Sequence, residues 1–410
     1  MNQTPRSNRT HIAIFGRRNA GKSSVINALT NQQISLVSDV AGTTTDPVFK
    51  SIELLPLGPC VLIDTAGIDD IGTLGKMRVE RTYDIINKTD IGLIIFDHQQ
   101  TDFSEELQLI KEFKKRQKPF LLVGNKTDQG TTSSMDALGK YDIHFVSALT
   151  KAGMTQLKQQ IGQTVQFEEE KFRIVGDLIQ PGEFVVLVTP IDKAAPKGRL
   201  ILPQQQTIRD ILESDAIAIV TKEHELRETL QNLHKKPALV ITDSQAFLKV
   251  SADTPQDIPL TSFSILFARN KGDLEELVQG ALAIDHLQSG DTILVSEGCT
   301  HHRQSDDIGT VKIPRWLRQY TGKDFNFIYS SGYSFPKELD EVQLVIHCGG
   351  CMLNKTEMMY RIKQVVDKDI PIVNYGVLIA YVQGIFERAL KPFPLANLIF
   401  QEQHQKKQSQ

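Results

Sequence analysis

The chain is poor in cysteine, in tryptophan and in net charge, and it lacks any long apolar run. Its 410 residues hold four cysteines and one tryptophan, and the formal charge at pH 7 is −3. So few cysteines in a chain this long exclude the disulfide framework of a small secreted domain. The near balance of charge argues against a broad basic surface, and so against nucleic acid as a partner. No stretch is apolar over the length that a membrane helix needs, so no membrane association is expected. The segment Met1 to Thr10 is polar and carries no signal-like run, which makes a cytoplasmic protein the expectation. What is present is a soluble globular composition, 40% hydrophobic and 23% charged, at a length that implies two or three domains.

Short apolar runs alternate with amphipathic stretches. Strands are expected at His11–Gly16, Cys60–Thr65, Gly92–Asp97, Pro119–Gly124 and His144–Ser147, and helices at Ser23–Thr30, Leu74–Ile86, Glu105–Lys115 and Met154–Ile161. This alternation implies a parallel sheet covered by helices. After a polar connection at Gln166–Lys171, a second such rhythm places strands at Phe184–Thr189, Ala216–Thr221, Ala238–Thr242 and Ser262–Ala268. Helices at Ile208–Leu212 and Glu223–Leu233 fall between them, and no catalytic motif is found there. A third part opens with Asp273 and Glu276 as a capping-box-like start to a helix Leu274–Leu287. Strands Thr292–Ser296, Phe325–Tyr329, Gln343–His347 and Pro371–Asn374 follow, with helices around Trp316, at Lys355–Val366 and at Val377–Leu390. The expected division is 1–168, 172–269 and 271–400, with 401–410 a disordered tail.

The segment Gly16-Arg17-Arg18-Asn19-Ala20-Gly21-Lys22-Ser23 follows an apolar strand and opens a helix, the context that a P-loop requires. Its glycines let backbone N–H groups wrap phosphates, Lys22 offsets their charge, and the Ser23 hydroxyl is placed to ligate Mg²⁺. Asp64-Thr65-Ala66-Gly67 ends a later strand, with Asp64 in the Mg²⁺ shell and the Gly67 N–H facing the γ phosphate. Thr44, in Gly42-Thr43-Thr44-Thr45-Asp46, is the candidate switch threonine on Mg²⁺. Asn125-Lys126-Thr127-Asp128 ends a further strand. The Asp128 carboxylate suits N1–H and the exocyclic amine of guanine, donors that adenine lacks. Ser147-Ala148 sits where a backbone N–H would meet guanine O6. The order and spacing resemble the small GTPase superfamily, and GTP is the expected nucleotide. Ile68 stands where Ras-like proteins carry a water-positioning glutamine, so intrinsic turnover should be slow or depend on another group.

The P-loop through Ser24 resembles the GTPases of the bacterial tRNA-modification (TrmE) and Era group. In those, the asparagine matching Asn19 helps to bind K⁺. The resemblance thus implies a K⁺ site at Asn19 and a catalytic set of Lys22, Asn19, Thr44 and Gly67.

Three cysteines fall in the last third of the chain. Cys299-Thr300-His301 follows one expected strand and His347-Cys348-Gly349-Gly350-Cys351 another. If those strands are parallel neighbours, the clusters converge in the crevice where such sheets bind ligands. Spacing alone fits either a closed Cys₃His zinc site or an iron–sulfur cluster on three cysteines with a weakly ligated fourth iron. Other residues are assigned no role: Cys60 and Trp316 as core, His302 as a bystander, Lys111, Lys114, Lys115 and Arg116 as a solvated helix face, and Glu297 as an exposed loop residue.

The Cys-x-His and His-Cys-x-x-Cys pair behind a Thr-Thr-Thr-type G domain resembles the HydF family, the GTPases that mature FeFe-hydrogenase. The resemblance covers nearly the whole chain, including Thr189-Pro190-Ile191-Asp192 and Gly198-Arg199-Leu200-Ile201-Leu202-Pro203. It implies an α/β chain: a P-loop GTPase domain, then two further α/β domains with mostly parallel sheets, the first for dimerisation and the second for a cluster. It implies a 4Fe–4S cluster on Cys299, Cys348 and Cys351, with His301 or His347 as candidates for the fourth position. Implied partners are a second copy in a homodimer, the FeFe-hydrogenase apoprotein and two radical-SAM maturases. The alternative is a K⁺-dependent GTPase of the tRNA-modification type with a structural zinc module.

Overall fold

The computed structural model describes residues 9–30, 48–54, 57–65, 82–130, 136–169, 173–190, 200–298, 307–332, 335–336 and 338–408. The chain forms two compact units, 1–171 and 172–410.

The first unit is built on β1 (Thr10–Phe15), β2 (Val48–Leu54), β3 (Gly58–Asp64), β4 (Ile91–Asp97), β5 (Phe120–Asn125) and β6 (Ile143–Phe145), in the order β2-β3-β1-β4-β5-β6. All pairings are parallel except β2 with β3. Side chains of a strand alternate between faces, so a sheet covered on both sides needs apolar residues at every position. In β1, Ile12 and Ile14 pack with Val25, Leu93 and Ile161 on one face. Ala13 and Phe15 pack with Ile94, Phe96 and Phe113 on the other. The antiparallel edge strand β2 is absent from the sequence expectation, because Val48–Leu54 mixes apolar with exposed polar residues and gives only a weak alternation. The helix at Met154–Glu169 runs on through much of the stretch expected as a connection. The upstream part of the helix expected at Leu74–Ile86 lies outside the described residues.

The second unit carries two parallel four-stranded sheets. One has the order β10-β9-β7-β8 from β7 (Phe184–Val188), β8 (Ile217–Thr221), β9 (Leu239–Thr242) and β10 (Leu260–Ser262). The other has the order β12-β11-β13-β14 from β11 (Thr292–Glu297), β12 (Asn326–Ser331), β13 (Leu344–His347) and β14 (Ile372–Asn374). One buried cluster, from Val175 to Phe400, joins the inner faces of both sheets.

Three expectations are corrected here. The run Ser262–Ala268 is not a strand: β10 ends at Ser262, whose hydroxyl accepts from the Ile265 N–H and caps the helix Phe263–Lys271. A short apolar run looks alike in a buried helix and a buried strand, and here the cap decides. The segment Val377–Leu390 is two helices, Tyr375–Val382 and Phe386–Leu390, parted near Gly384. The supposed disordered tail is largely helical, since Pro394–Gln408 forms one helix whose Ala396 and Phe400 join the core. As expected, Asp273 caps the helix Leu274–Leu282 by accepting from the Glu276 N–H.

Candidate functional site

The nucleotide site gathers at the C-terminal ends of β1, β3, β4 and β5, where open parallel sheets bind ligands. The P-loop leaves β1 at Gly16 and enters the helix Lys22–Thr30. Gly21 has φ 88°, and a Cβ there would lie 2.3 Å from Asn125 Nδ2, so only glycine lets the two loops approach this closely. Asn19 is exposed with φ 62°. Lys22 Nζ donates to the Gly16 and Arg17 carbonyls at 2.8 and 2.9 Å, which folds the ammonium into the loop. Ser23 and Ser24 are exposed at the helix start.

Asp64 ends β3, and burial raises its carboxyl pKa while the Lys22 charge opposes the rise. Its Oδ1 is buried with no hydrogen-bond partner. An orphaned carboxylate oxygen that interacts with the P-loop lysine fits a cation shell. Asn125 is buried, and both ends of its amide are engaged. Nδ2 donates to the Ala20 carbonyl and Oδ1 accepts from the Ala148 N–H, each at 3.1 Å. Asn125 therefore ties the P-loop to the loop after β6 rather than offering a free group to the base. The Ala148 N–H expected to face guanine O6 is the one taken by Asn125, and the Ser147 N–H donates to the Ala152 carbonyl. Asp128 accepts from the Ser147 hydroxyl, which also accepts from the Thr150 N–H. Lys126 Nζ donates to Asp97 Oδ2 at 2.8 Å. Thr44 and Gly67 lie outside the described residues.

Sequence reasoning missed the anchoring of Arg17. Its guanidinium meets Asp102 Oδ2 at 3.0 Å and Glu106 Oε1 at 3.3 Å, beside the Ser104 hydroxyl. Glu106 lies in the first turn of the helix Ser104–Lys115 and Asp102 just before it, where acidic residues are common, so neither stands out in the sequence.

The second candidate site lies where β11 and β13 end side by side, with Ser296 opposite His347. The Cys348 N–H continues the ladder to the Ser296 carbonyl at 2.9 Å. Cys348 Sγ accepts from the Gly298 N–H at 3.1 Å and the Gly350 N–H at 3.4 Å. Gly350 holds φ 60°, the left-handed conformation that turns the loop toward Cys351. Asn354 accepts from the Glu357 N–H and caps the helix Lys355–Val366 just beyond, as expected. Backbone N–H groups aimed at a cysteine sulfur favour the thiolate, the form that binds metal. Cys299 and His301 lie outside the described residues. Among the described residues, no three His, Cys, Asp or Glu side chains gather in a metal-binding geometry.

His347, one of the two histidines considered for the fourth position, is held by contacts within the protein. It is fully buried, its Nδ1 lies 2.7 Å from the Cys348 carbonyl, and its Nε2 lies 3.1 Å from an Arg361 nitrogen. Burial, with the neighbouring Arg361 charge, lowers its pKa to about 3. The neutral ring thus donates from Nδ1 and accepts at Nε2, and both nitrogens are engaged within the protein. Arg361 in turn donates from Nε to Glu357 at 2.9 Å and from another nitrogen to the Gly332 carbonyl at 3.2 Å. Glu297 is corrected: it is buried in β11, where its Oε1 accepts from the Tyr375 hydroxyl at 3.2 Å. Cys60 sits in the first unit's core, as expected.

The first unit is thus a P-loop GTPase domain. Several curated relatives match a little over a third of the chain. The tRNA modification GTPase MnmE of Aquifex aeolicus (strain VF5) is 34% identical over 151 residues, 37% of this chain and 33% of that protein. MnmE of Lactiplantibacillus plantarum is 35% identical over 156 residues, 37% of this chain and 33% of that protein. The chain spans about a third of the length of these curated relatives. Among solved structures, Era of Aquifex aeolicus bound to GDP and AlF4⁻ is 18% identical and covers 60% of this chain and 99% of its own, with a TM-score of 0.33. The G domain of the T. maritima FeoB iron transporter is 22% identical and covers 38% of this chain and 99% of its own, with a TM-score of 0.32.

Family models extend the match past the first unit. The model for a 50S ribosome-binding GTPase matches residues 11–126, that for the hydrogen maturase F dimerization domain 174–272, and that for its tetramerization domain 275–392. The chain belongs to the hydrogen maturase F family.

Proposed function

We propose that this chain hydrolyses GTP and holds a 4Fe–4S cluster on Cys299, Cys348 and Cys351, acting as scaffold and carrier of a diiron precursor for apo FeFe-hydrogenase. The observation that carries the cluster half is the pair of N–H groups, from Gly298 and Gly350, on Cys348 Sγ. Gly298 immediately precedes Cys299, so this contact brings the start of the first cysteine segment onto the second. When bound, the cluster supplies an iron corner that three cysteines leave open to an exchangeable ligand. His301 and His347 are the candidates for that corner, and use of His347 would require it to give up its contact with Arg361. The diiron unit with its CO and cyanide ligands is cargo, built with two radical-SAM maturases.

In the G domain, Lys22 offsets phosphate charge, Ser23 and Asp64 would hold Mg²⁺ together with Thr44, and the Gly67 N–H would face the γ phosphate. Mg²⁺ held there would offset phosphate charge. Asp128 selects guanine. Asn19 stands exposed in the P-loop, where K⁺ would supply charge at the phosphates. The dimerization and tetramerization family matches support self-association, with a homodimer as the basic unit. Among the described residues, no helix is long and apolar enough to cross a membrane. A cytoplasmic location agrees with the cluster reading, since cysteines that bind a cluster must be reduced.

The test is delivery. Full-length chain loaded by the two maturases is mixed with apo-hydrogenase, and hydrogen evolution is followed with and without GTP. Activation by loaded protein and none by Cys348→Ser supports the reading. Equal activation by both overturns it.

A further inference from the structure

Lys271 is the last residue of the helix Phe263–Lys271 and is only 5% exposed. Lysine is almost never buried without a partner of opposite charge. Its Nζ lies 3.4 Å from the Gly350 carbonyl, 3.3 Å from that of Cys351 and 3.0 Å from that of Leu353. Three donors thus meet three carbonyls of the loop that carries the cysteines. Those bonds satisfy the protons, and the ammonium lies 5.7 Å from the Phe267 ring centroid, but no carboxylate forms an ion pair with Lys271 among the described residues. Burial disfavours the ammonium, and the groups near enough to offset that, once ionised, are Cys351 and Cys348.

We propose that the Lys271 ammonium is the resident counter-cation of the cysteine site, clamping the Gly350–Leu353 loop and offsetting the negative charge of a metal–thiolate centre bound there. Three thiolates on a divalent ion, or on an oxidised 4Fe–4S core, carry net negative charge. A fixed cation nearby lowers the free energy of that state, and more so of the reduced core, which holds one more electron. Lys271 comes from the segment matched by the dimerization model, and the loop from that matched by the tetramerization model. The clamp therefore spans the junction of the two matched regions. Lys271 touches backbone rather than metal, so it is a positioning residue. The inference rests on the reading of these cysteines as metal ligands.

The test separates charge from hydrogen bonding. Full-length apoprotein is prepared anaerobically, and Zn²⁺ affinity is measured by competition with a chromophoric chelator. Lys271→Gln keeps donors and loses the charge, Lys271→Met loses both, and Lys271→Arg keeps the charge. The expected loss for the Gln and Met variants is roughly 10–100-fold, with the Arg variant close to the parent. Methionine leaves the three loop carbonyls without a donor, so it reports the loss of clamp and charge together, and the Arg variant, which keeps both, is the folded control if the Gln variant misfolds. Unchanged Zn²⁺ affinity in the charge-free variants overturns the proposal. With iron and sulfide reconstituted, the Gln variant is expected to shift one-electron reduction about tenfold toward the oxidised form, ~59 mV. An unchanged potential counts against the counter-charge. A parent that binds Zn²⁺ in this lysine-dependent way but takes up no cluster sinks the cluster reading and leaves the role of Lys271 standing.

Discussion

The Gly298 N–H donates to Cys348 Sγ at 3.1 Å, across a separation of 50 residues in the chain. Parallel pairing of β11 with β13 produces this contact, because both strands end at the same level, with Ser296 opposite His347. The first prediction follows from it. Cys348→Ser replaces a soft thiolate by a poor metal ligand, so bound iron should fall to background. GTP turnover should stay within about twofold of the parent, because the nucleotide residues belong to the other compact unit. Iron analysis and phosphate release check this, and a collapse of both together contradicts it.

Guanine selection is assigned to Asp128. Replacing it by alanine removes an acceptor for two donors of the base, and hydrogen bonds to charged groups contribute ~1.5–3 kcal/mol each. Asp128→Ala should therefore weaken GTP binding by at least about tenfold and leave ATP binding as weak as before. Competition with a fluorescent nucleotide measures both, and a proportional loss for GTP and ATP contradicts the assignment.

The pair Glu357–Arg361 is buried at both ends, with relative exposures of 4% and 0%. Removing one partner strands the other charge. Arg361→Ala should cost about 3–5 kcal/mol, read as a fall in the urea midpoint. The double change Arg361→Met with Glu357→Gln should cost less than the single one, because it strands no charge. An additive loss would show that the pair is not coupled.

Asp97 gives a pH dependence. Burial alone would raise its carboxyl, but the Lys126 ammonium and the Gln99 N–H outweigh it and hold the pKa below the ordinary value. A depressed folded value means that this stability is fully present above the free carboxylate's pKa, about pH 4, and is lost as pH falls through the folded value. Asp97→Asn should flatten that part of the acid limb of thermal stability between about pH 5 and pH 2. Parallel melting curves for variant and parent across that range would contradict it.

Much of the nucleotide site was legible because a P-loop declares itself by a strand, a glycine turn and a helix in sequence. β1 and β4 were legible for a related reason: buried on both faces, they are continuous apolar runs. The strand at Ser262–Ala268 was misread because an apolar run of that length carries no period, and only the Ser262 cap distinguishes the two outcomes. His347 drew attention because histidine beside cysteine suggests metal. Its engagement by Arg361, on the following helix, arises only when that helix packs back on β13. Lys271 could not be found at all in the sequence. A lysine ending a helix is usually solvated, and its burial comes from the fold bringing the Gly350–Leu353 loop over it.

The most direct test is anaerobic purification of the full chain, metal analysis, and EPR of the dithionite-reduced protein before and after adding cyanide or imidazole. Iron and sulfide near four per chain, with a cluster signal that shifts on adding either ligand, is the predicted result. Stoichiometric zinc with no cluster signal would contradict the account.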